Sequence, residues 1–380
     1  MKPTPVVRLH PLYTKEGKFV FSPVYSHVGS RMVLTTQEAG GQKLTVVDSS
    51  NGNLRAEIDL SGSQLRSSPV WSPDDTSIAF LAHQKKEKKT TNLHLVDSET
   101  GKPRINQSFP VRQSTRLVFA PDGKQIAFGE HCPGKLHRIE IPSGSHVPIE
   151  VGNWLISTPS YSPDGSNLAF TAYDISKETG KVHLVASGSE KPHFEVESPH
   201  SKVGQYLNGD PVFSPNGTEI ALVGDGNFYR VDPRNGEIDP LLTYRENDVI
   251  CNKQPIYAAD GTLAIATVQG KIIVFRANAE RKQSVMYAGS GYFFGSSPAF
   301  STDGQLLSIV GVTPDKESYC HSQLFFNSIS EERFFSQLLS VLRGHEVPED
   351  PPVFHPNWEQ IAYSSKNRNL ISIEAFQRES

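Results

Sequence analysis

The sequence predicts an all-β chain assembled from eight copies of one strand-turn-strand unit, each extended to four antiparallel strands. Three observations predict it. One pattern, x-P-x-aromatic-S-P-D-G-x-x-I-A-F, recurs from Ser22, Ser68, Arg116, Thr158, Asp210, Gln254, Ser297 and Pro351. The aromatics Tyr25, Trp71, Phe119, Tyr161, Phe213, Tyr257, Phe300 and Phe354 follow one another at 42–54 residues, the period of a repeat architecture. In all units but the sixth, apolar residues stand seven and nine places after the aromatic, as Ile78/Phe80 and Leu168/Phe170 do. The sixth is one residue short, and Leu263 and Ile265 take those places.

Each element has its own cause. A spacing of two puts apolar residues on one face of a strand. The residue between them is mostly Ala, which suits a crowded inner layer. Ser-Pro-Asp-Gly links the first two strands. Pro fixes φ early in the turn, Asp favours its third place, and Gly accepts φ > 0 at its end, giving a tight hairpin. Leu44–Asp48, Leu93–Asp97, His183–Ala186 and Phe228–Asp232 read as third strands, several running into an Asp-x-x-x-Gly turn. Fourth strands follow, as at Arg55–Leu60 and Arg104–Phe109. Four antiparallel strands per roughly 45 residues make one blade of a β-propeller.

The strand count also predicts closure. The last unit supplies Pro352–Phe354, Gln360–Ser364 and Leu370–Ala375, while Pro5–His10 precedes the first unit without a blade of its own. Within residues 1–21, that orphan strand is expected to complete the eighth blade, giving a single propeller domain over 1–380. A seven-bladed ring with one unit displaced is the alternative.

Composition narrows the function. Gly (29) and Pro (27) are frequent, charged residues are 21% and the net charge is −4. This balance suits a turn-rich globular chain and leaves no electrostatic footprint for nucleic acid or membrane. Cys132, Cys251 and Cys320 form no C-x-x-C pair, so neither a disulfide framework nor a structural zinc site is expected. No apolar stretch of signal-peptide or membrane-span type stands out. The chain is expected to be cytoplasmic and monomeric.

The repeated unit resembles the WD40-like (PD40) repeat of the TolB-like propeller family, over Ser22 to about Ser364. The resemblance implies the fold. Its motif residues are structural, so it leaves function open among adaptors, oligopeptidase propeller domains and oligogalacturonate lyases. The sequence departs from each. It shows no separate N-terminal domain, no G-x-S-x-G nucleophile elbow, and no histidines in Glu349–Phe354, where lyases of this type carry metal ligands.

Candidate chemistry is sparse. Gly129–Leu136 approaches a phosphate-binding loop, but Leu136 stands where Ser or Thr is needed and Leu136–Ile141 reads as a strand. It reads instead as a loop between second and third strands. His131-Cys132 and Cys320-His321 are zinc-type ligands, yet their loops belong to blades four apart. No metal and no cofactor is expected. Lys85-Lys86-Glu87-Lys88-Lys89 reads as a solvated hairpin tip. Glu331–Arg343 reads as a short amphipathic helix or an outer strand. No catalytic constellation stands out. The loop Ser290–Gly295 holds Tyr292, Phe293 and Phe294 between glycines, and an aromatic triplet there suits a partner surface. The expectation is a non-catalytic scaffold that binds a protein or peptide partner through one face of the ring. The alternative is a lyase or hydrolase with its site in the central funnel.

Overall fold

The structure is a computed structural model. It describes residues 7–16, 19–39, 41–84, 87–111, 114–130, 134–152, 154–174, 176–177, 179–197, 209–224, 227–242, 254–267, 270–277, 283–287, 293–294, 298–300, 306–314, 320–328, 353–356, 360–364 and 370–378. Among the described residues there is no α-helix, and the strands group into eight antiparallel sheets, numbered here by their repeat. The chain divides into two compact units, Met1–Asp59 with Glu246–Ser380, and Leu60–Arg245. Residues 331–343 lie outside the described residues.

In the unit Leu60–Arg245, sheet 2 comprises Ser63–Leu65, Val70–Trp71, Ser77–Gln84, Glu87–Asp97 and Pro103–Phe109. Sheet 3 comprises Val118–Phe119, Gln125–Glu130, Gly134–Glu140 and His146–Gly152. Sheet 4 comprises Leu155–Ile156, Ser160–Tyr161, Asn167–Asp174, Thr179–Ala186 and Phe194–Glu197; sheet 5 comprises Val212–Phe213, Ile220–Gly224, Asn227–Val231 and Ile238–Leu242. In the other unit, sheet 1 is Phe19–Tyr25, Arg31–Glu38, Gly41–Asp48 and Leu54–Ser61; sheet 6 is Ile256–Tyr257, Leu263–Ala266, Lys271–Phe275 and Gln283–Tyr287. Sheet 7 is Phe293–Phe294, Ala299–Phe300, Leu306–Pro314 and Cys320–Ser328. Sheet 8 is Val353–Phe354, Gln360–Ser364 and Leu370–Arg378, completed by Val7–Glu16.

The I-A-F triplet explains how sheets stack within each unit. Its two large residues face one neighbour and its Ala faces the other. Ala79 of sheet 2 packs in one cluster with Ile126 and Phe128 of sheet 3. Ala127 does so with Leu168 and Phe170 of sheet 4, and Ala169 with Ile220 and Leu222 of sheet 5. In the first unit Ala264 meets Leu307 and Ile309, and Ala362 meets Met32 and Leu34. All of these side chains are buried. A large face seated on a small one keeps adjacent sheets close at interior density. Each buried Leu, Ile or Phe stabilises by about 1.5–3 kcal/mol.

The turns show why Ser, Asp and Gly recur. In sheet 4, Ser162 Oγ donates to Asp164 Oδ1 at 2.6 Å and accepts from Asn167 N at 2.9 Å. Asp164 Oδ1 also accepts from Ser166 N at 3.0 Å. Sheets 2 and 5 repeat this with Ser72/Asp74 and Ser214/Asn216. Gly123, Gly165 and Gly217 close their turns at φ of 71–72°, beside the Pro73, Pro121 and Pro163 rings of the preceding sheet's turn. These motif residues are therefore occupied in holding the hairpin. Replacing Ser162 with Ala should leave Asp164 Oδ1 and the Asn167 amide each short of a partner. A loss of about 1 kcal/mol is expected, read from urea unfolding with an unchanged m-value.

The N-terminal strand joins sheet 8. Val7–Glu16 is the outer strand of sheet 8 and pairs antiparallel with Leu370–Arg378, from Val7 opposite Arg378 to Glu16 opposite Leu370. The strand is longer than Pro5–His10 because Pro11 does not end it. Pro11 sits at a register shift on an outer strand, where a missing N–H is tolerated. Sheet 1 packs beside sheet 8. A Cβ on Gly29 would lie 2.2 Å from His355 Nε2, and Tyr25 meets the His355 ring edge-on. Gly29 is thus required both by its φ of 77° and by this close approach.

Candidate functional site

The innermost strand of several sheets is bent, and the bend generates the candidate surface. In sheet 2, Leu65 pairs with Ala82 and Val70 with Ala79, so four residues oppose two. In sheet 4, Ile156 pairs with Ala172 and Ser160 with Ala169, so three oppose two. Sheet 3 does the same between the Ser114–Glu130 bridge and the Val118–Ala127 pair. These are β-bulges, which re-aim side chains next to functional sites. A hydroxyl stabilises two of them: Thr115 Oγ1 accepts from Gly129 N at 2.7 Å, and Ser157 Oγ from Thr171 N at 2.9 Å.

The residue following that hydroxyl is the first of each repeat: Ser68, Arg116, Thr158 and, after Gly209, Asp210. Arg116 is exposed, whereas Thr158 and Asp210 are half-buried. Asp210 Oδ1 accepts from Thr158 N at 2.8 Å, linking sheet 5 to sheet 4. Burial raises the Asp210 carboxyl above its ordinary range, and the Thr158 N–H and the Arg116 charge oppose that rise. Three successive sheets therefore present a cation, a hydroxyl and a carboxylate at one register.

Two residues of the aromatic triplet are described. Tyr292 lies outside the described residues. Phe293 and Phe294 are not a simple loop but a short strand paired with Val312 and Gly311, ahead of Ala299–Phe300. A strand of two residues shows no alternation, so the sequence alone presents the triplet as a loop. Phe294 takes the register of Leu65 and Ile156, and Phe293 that of Gln64 and Leu155. In sheets 2 and 4, Leu65 and Ile156 are buried, Gln64 is exposed and Leu155 half-buried.

A second constellation is absent from the sequence reading. In sheets 2, 3 and 4 a third-strand imidazole lies flat against the large residue opposite: His94 on Phe80, His137 on Phe128 and His183 on Phe170, at 4.8–4.9 Å between ring centroids. Burial lowers all three, His137 to about 3 and His183 to about 4. His137 also bonds Glu130 Oε2 at 3.1 Å through Nε2 and His146 at 2.9 Å through Nδ1. The signal was present as an apolar-His pair in three consecutive third strands, Leu93-His94, Leu136-His137 and Val182-His183.

Within Gly129–Leu136, one strand ends at Glu130 and the next begins at Gly134; His131 and Cys132 lie outside the described residues. Cys320 and His321 open a strand, opposite Pro314 and Thr313, rather than lying in a loop. Lys85 and Lys86 lie outside the described residues, and Glu87 already belongs to a strand. Among the described residues no three His, Cys, Asp or Glu converge as metal ligands. Among them, too, no helix is long and apolar enough to cross a membrane.

No family model matches the chain. Among curated proteins, it is 29% identical over 164 residues to the uncharacterized peptidase YuxL of Bacillus subtilis, covering 41% of this chain. The match covers only 21% of that relative's length. Among solved structures, the Dos1 propeller aligns with a TM-score of 0.54 at 12% identity, over 79% of this chain and 92% of that one. A eukaryotic initiation factor aligns at 0.61 and 12%, over 96% and 90%. Hydrazine synthase of Kuenenia stuttgartiensis aligns at 0.50 and 14%, over 96% of each.

Proposed function

We infer that the chain is a β-propeller, a reading that these neighbours and its four-stranded antiparallel sheets support. We propose that it is a TolB-like propeller of eight blades in one ring, closed by the N-terminal strand, serving as a non-catalytic cytoplasmic scaffold for a protein or peptide partner. The observation that carries the binding reading is the bulged innermost strand. It sets Arg116, Thr158 and Asp210 at one register of three successive sheets and keeps a half-buried carboxylate whose ionised form is disfavoured there. Sites that hold disfavoured charge are where function offsets stability. Tyr292, Phe293 and Phe294 supply the aromatic part of the partner surface.

Affinity capture from the source lysate tests this. Arg116→Ala and Phe293→Ala should each weaken the captured complex at least about tenfold, the loss of one hot-spot contact, with unchanged thermal melting. A complex indifferent to both Arg116→Ala and Phe293→Ala would refute the surface. The alternative, a lyase or hydrolase acting in the central funnel, draws on the peptidase wording of the B. subtilis relative; turnover lost in Asp210→Asn would favour it.

A further inference from the structure

Glu130, His137 and His146 lie on the face of sheet 3 that meets sheet 2, one on each of three adjacent strands. Glu130 pairs with Lys135, and His137 with Phe128 and Pro148, so Glu130 and His137 are diagonal neighbours. His146 pairs with Ile139 and is the next diagonal neighbour of His137. The chain Glu130 Oε2–His137 Nε2 is 3.1 Å and His137 Nδ1–His146 Nε2 is 2.9 Å. Glu130 and His137 are buried, while His146 is half-exposed. Phe128 stacks on His137, and His146 stacks on its own neighbour His137 at 5.1 Å. From sheet 2, Phe109 meets both imidazoles edge-on. The charge acting on all three members is Lys135, opposite Glu130, which itself pairs with Glu150 at 2.9 Å.

Two hydrogen bonds in line need one proton each, and neutral imidazole offers one donor and one acceptor. Only two registers satisfy both bonds with neutral rings. In one, Glu130 is ionised, His137 and His146 each donate from Nε2, and His146 Nδ1 is bare. In the other, Glu130 is protonated and donates to His137 Nε2, His137 donates from Nδ1 to His146 Nε2, and His146 carries its proton on Nδ1. One proton arriving at His146 Nδ1 converts the first into the second. The His146 Nε2 proton passes to His137 Nδ1, and the His137 Nε2 proton passes to Glu130.

We propose that Glu130, His137 and His146 form a proton relay, through which solvent protonates a buried carboxylate by flipping two imidazole tautomers and charging neither. Burial acts on each member in the matching direction, raising Glu130 and lowering both histidines. A relay meets that constraint, since it replaces the buried carboxylate charge without creating a buried imidazolium. It makes sheet 3 responsive to pH where the strand Gln125–Glu130 ends, independently of whether the innermost strands bind a partner.

The test is 15N NMR of the intact protein with labelled histidine, signals assigned through His137→Gln and His146→Gln, as pH falls from about 8 to about 5. Both imidazoles should exchange a protonated Nε2 for a protonated Nδ1 in one step. Infrared difference spectra over the same range should gain a protonated carboxyl band that Glu130→Gln lacks. In Glu130→Gln, which has no carboxyl proton to gain, the tautomers should stay fixed. The relay is overturned by an imidazolium at either residue in that step, by tautomers that never change in the wild type, or by a flip that persists in Glu130→Gln.

Discussion

Acidification from pH 6.5 toward 4 should remove up to about 3 kcal/mol of folding stability through His183 alone. His183 is buried against Phe170. Burial lowers it from 6.5 to about 4; Glu195 opposes that shift and Lys181 adds to it. The sign follows from proton binding. Above 6.5 neither state holds the extra proton, and stability is full. Between 6.5 and about 4 the unfolded chain takes up a proton that the folded chain refuses, so each step down in pH favours unfolding. Below 4 both states are protonated and the loss is complete. His137 adds a loss of the same sign down to about 3, and Glu130, raised by burial, works against it. Replacing His183 with Phe keeps the stacked ring and removes the titration. Its urea-unfolding free energy should therefore flatten against pH by up to about 3 kcal/mol relative to the wild type. Parallel profiles for the two proteins would show that His183 takes up its proton in the fold without cost.

The difference between what the sequence shows and what it hides is physical. The sheets were legible because Ile126, Ala127 and Phe128, or Leu168, Ala169 and Phe170, report local alternation, and because Ser162 and Asp164 bond within their own turn. Such signals need only neighbours in sequence. The candidate site depends on residues far apart in the chain. Thr158 and Asp210 meet across 52 positions, and nothing local to either announces the bond. The His137–His146 contact is closer in sequence but depends on diagonal register across two strands. Short or interrupted strands hide information in a further way. Two residues show no period of two, so Phe293–Phe294 presents as a loop although it pairs with Val312 and Gly311. Pro11 interrupts the N-terminal strand, which continues to Glu16.

That strand carries the other large expectation: deleting residues 1–16 should destabilise the whole protein. Val7–Glu16 is ten residues long and is the outer strand of a sheet whose other strands all come from the C-terminal end. Its ladder joins Val7–Glu16 to Leu370–Arg378. Removing it strips the hydrogen-bond partners from one side of Leu370–Arg378 and leaves a nine-residue exposed edge, a template for pairing with other chains. With a net contribution of about 1 kcal/mol per ladder bond, a strand of this length is worth on the order of 5 kcal/mol. That is a large share of a typical stability of about 5–15 kcal/mol. At about 2.1 cal/mol/K per residue of unfolding entropy, the same loss corresponds to a fall of about 6 °C in melting temperature. If the strand closes a ring, the fall should come as one cooperative transition, because sheet 1 packs directly beside sheet 8 through Gly29, Tyr25 and His355. A synthetic peptide of residues 1–18 added in excess should restore the lost stability in proportion to its occupancy, and should suppress association through the bared edge. A truncated chain that melts within a degree of the full one, with no response to the peptide, would mean that the ends are held together without this strand.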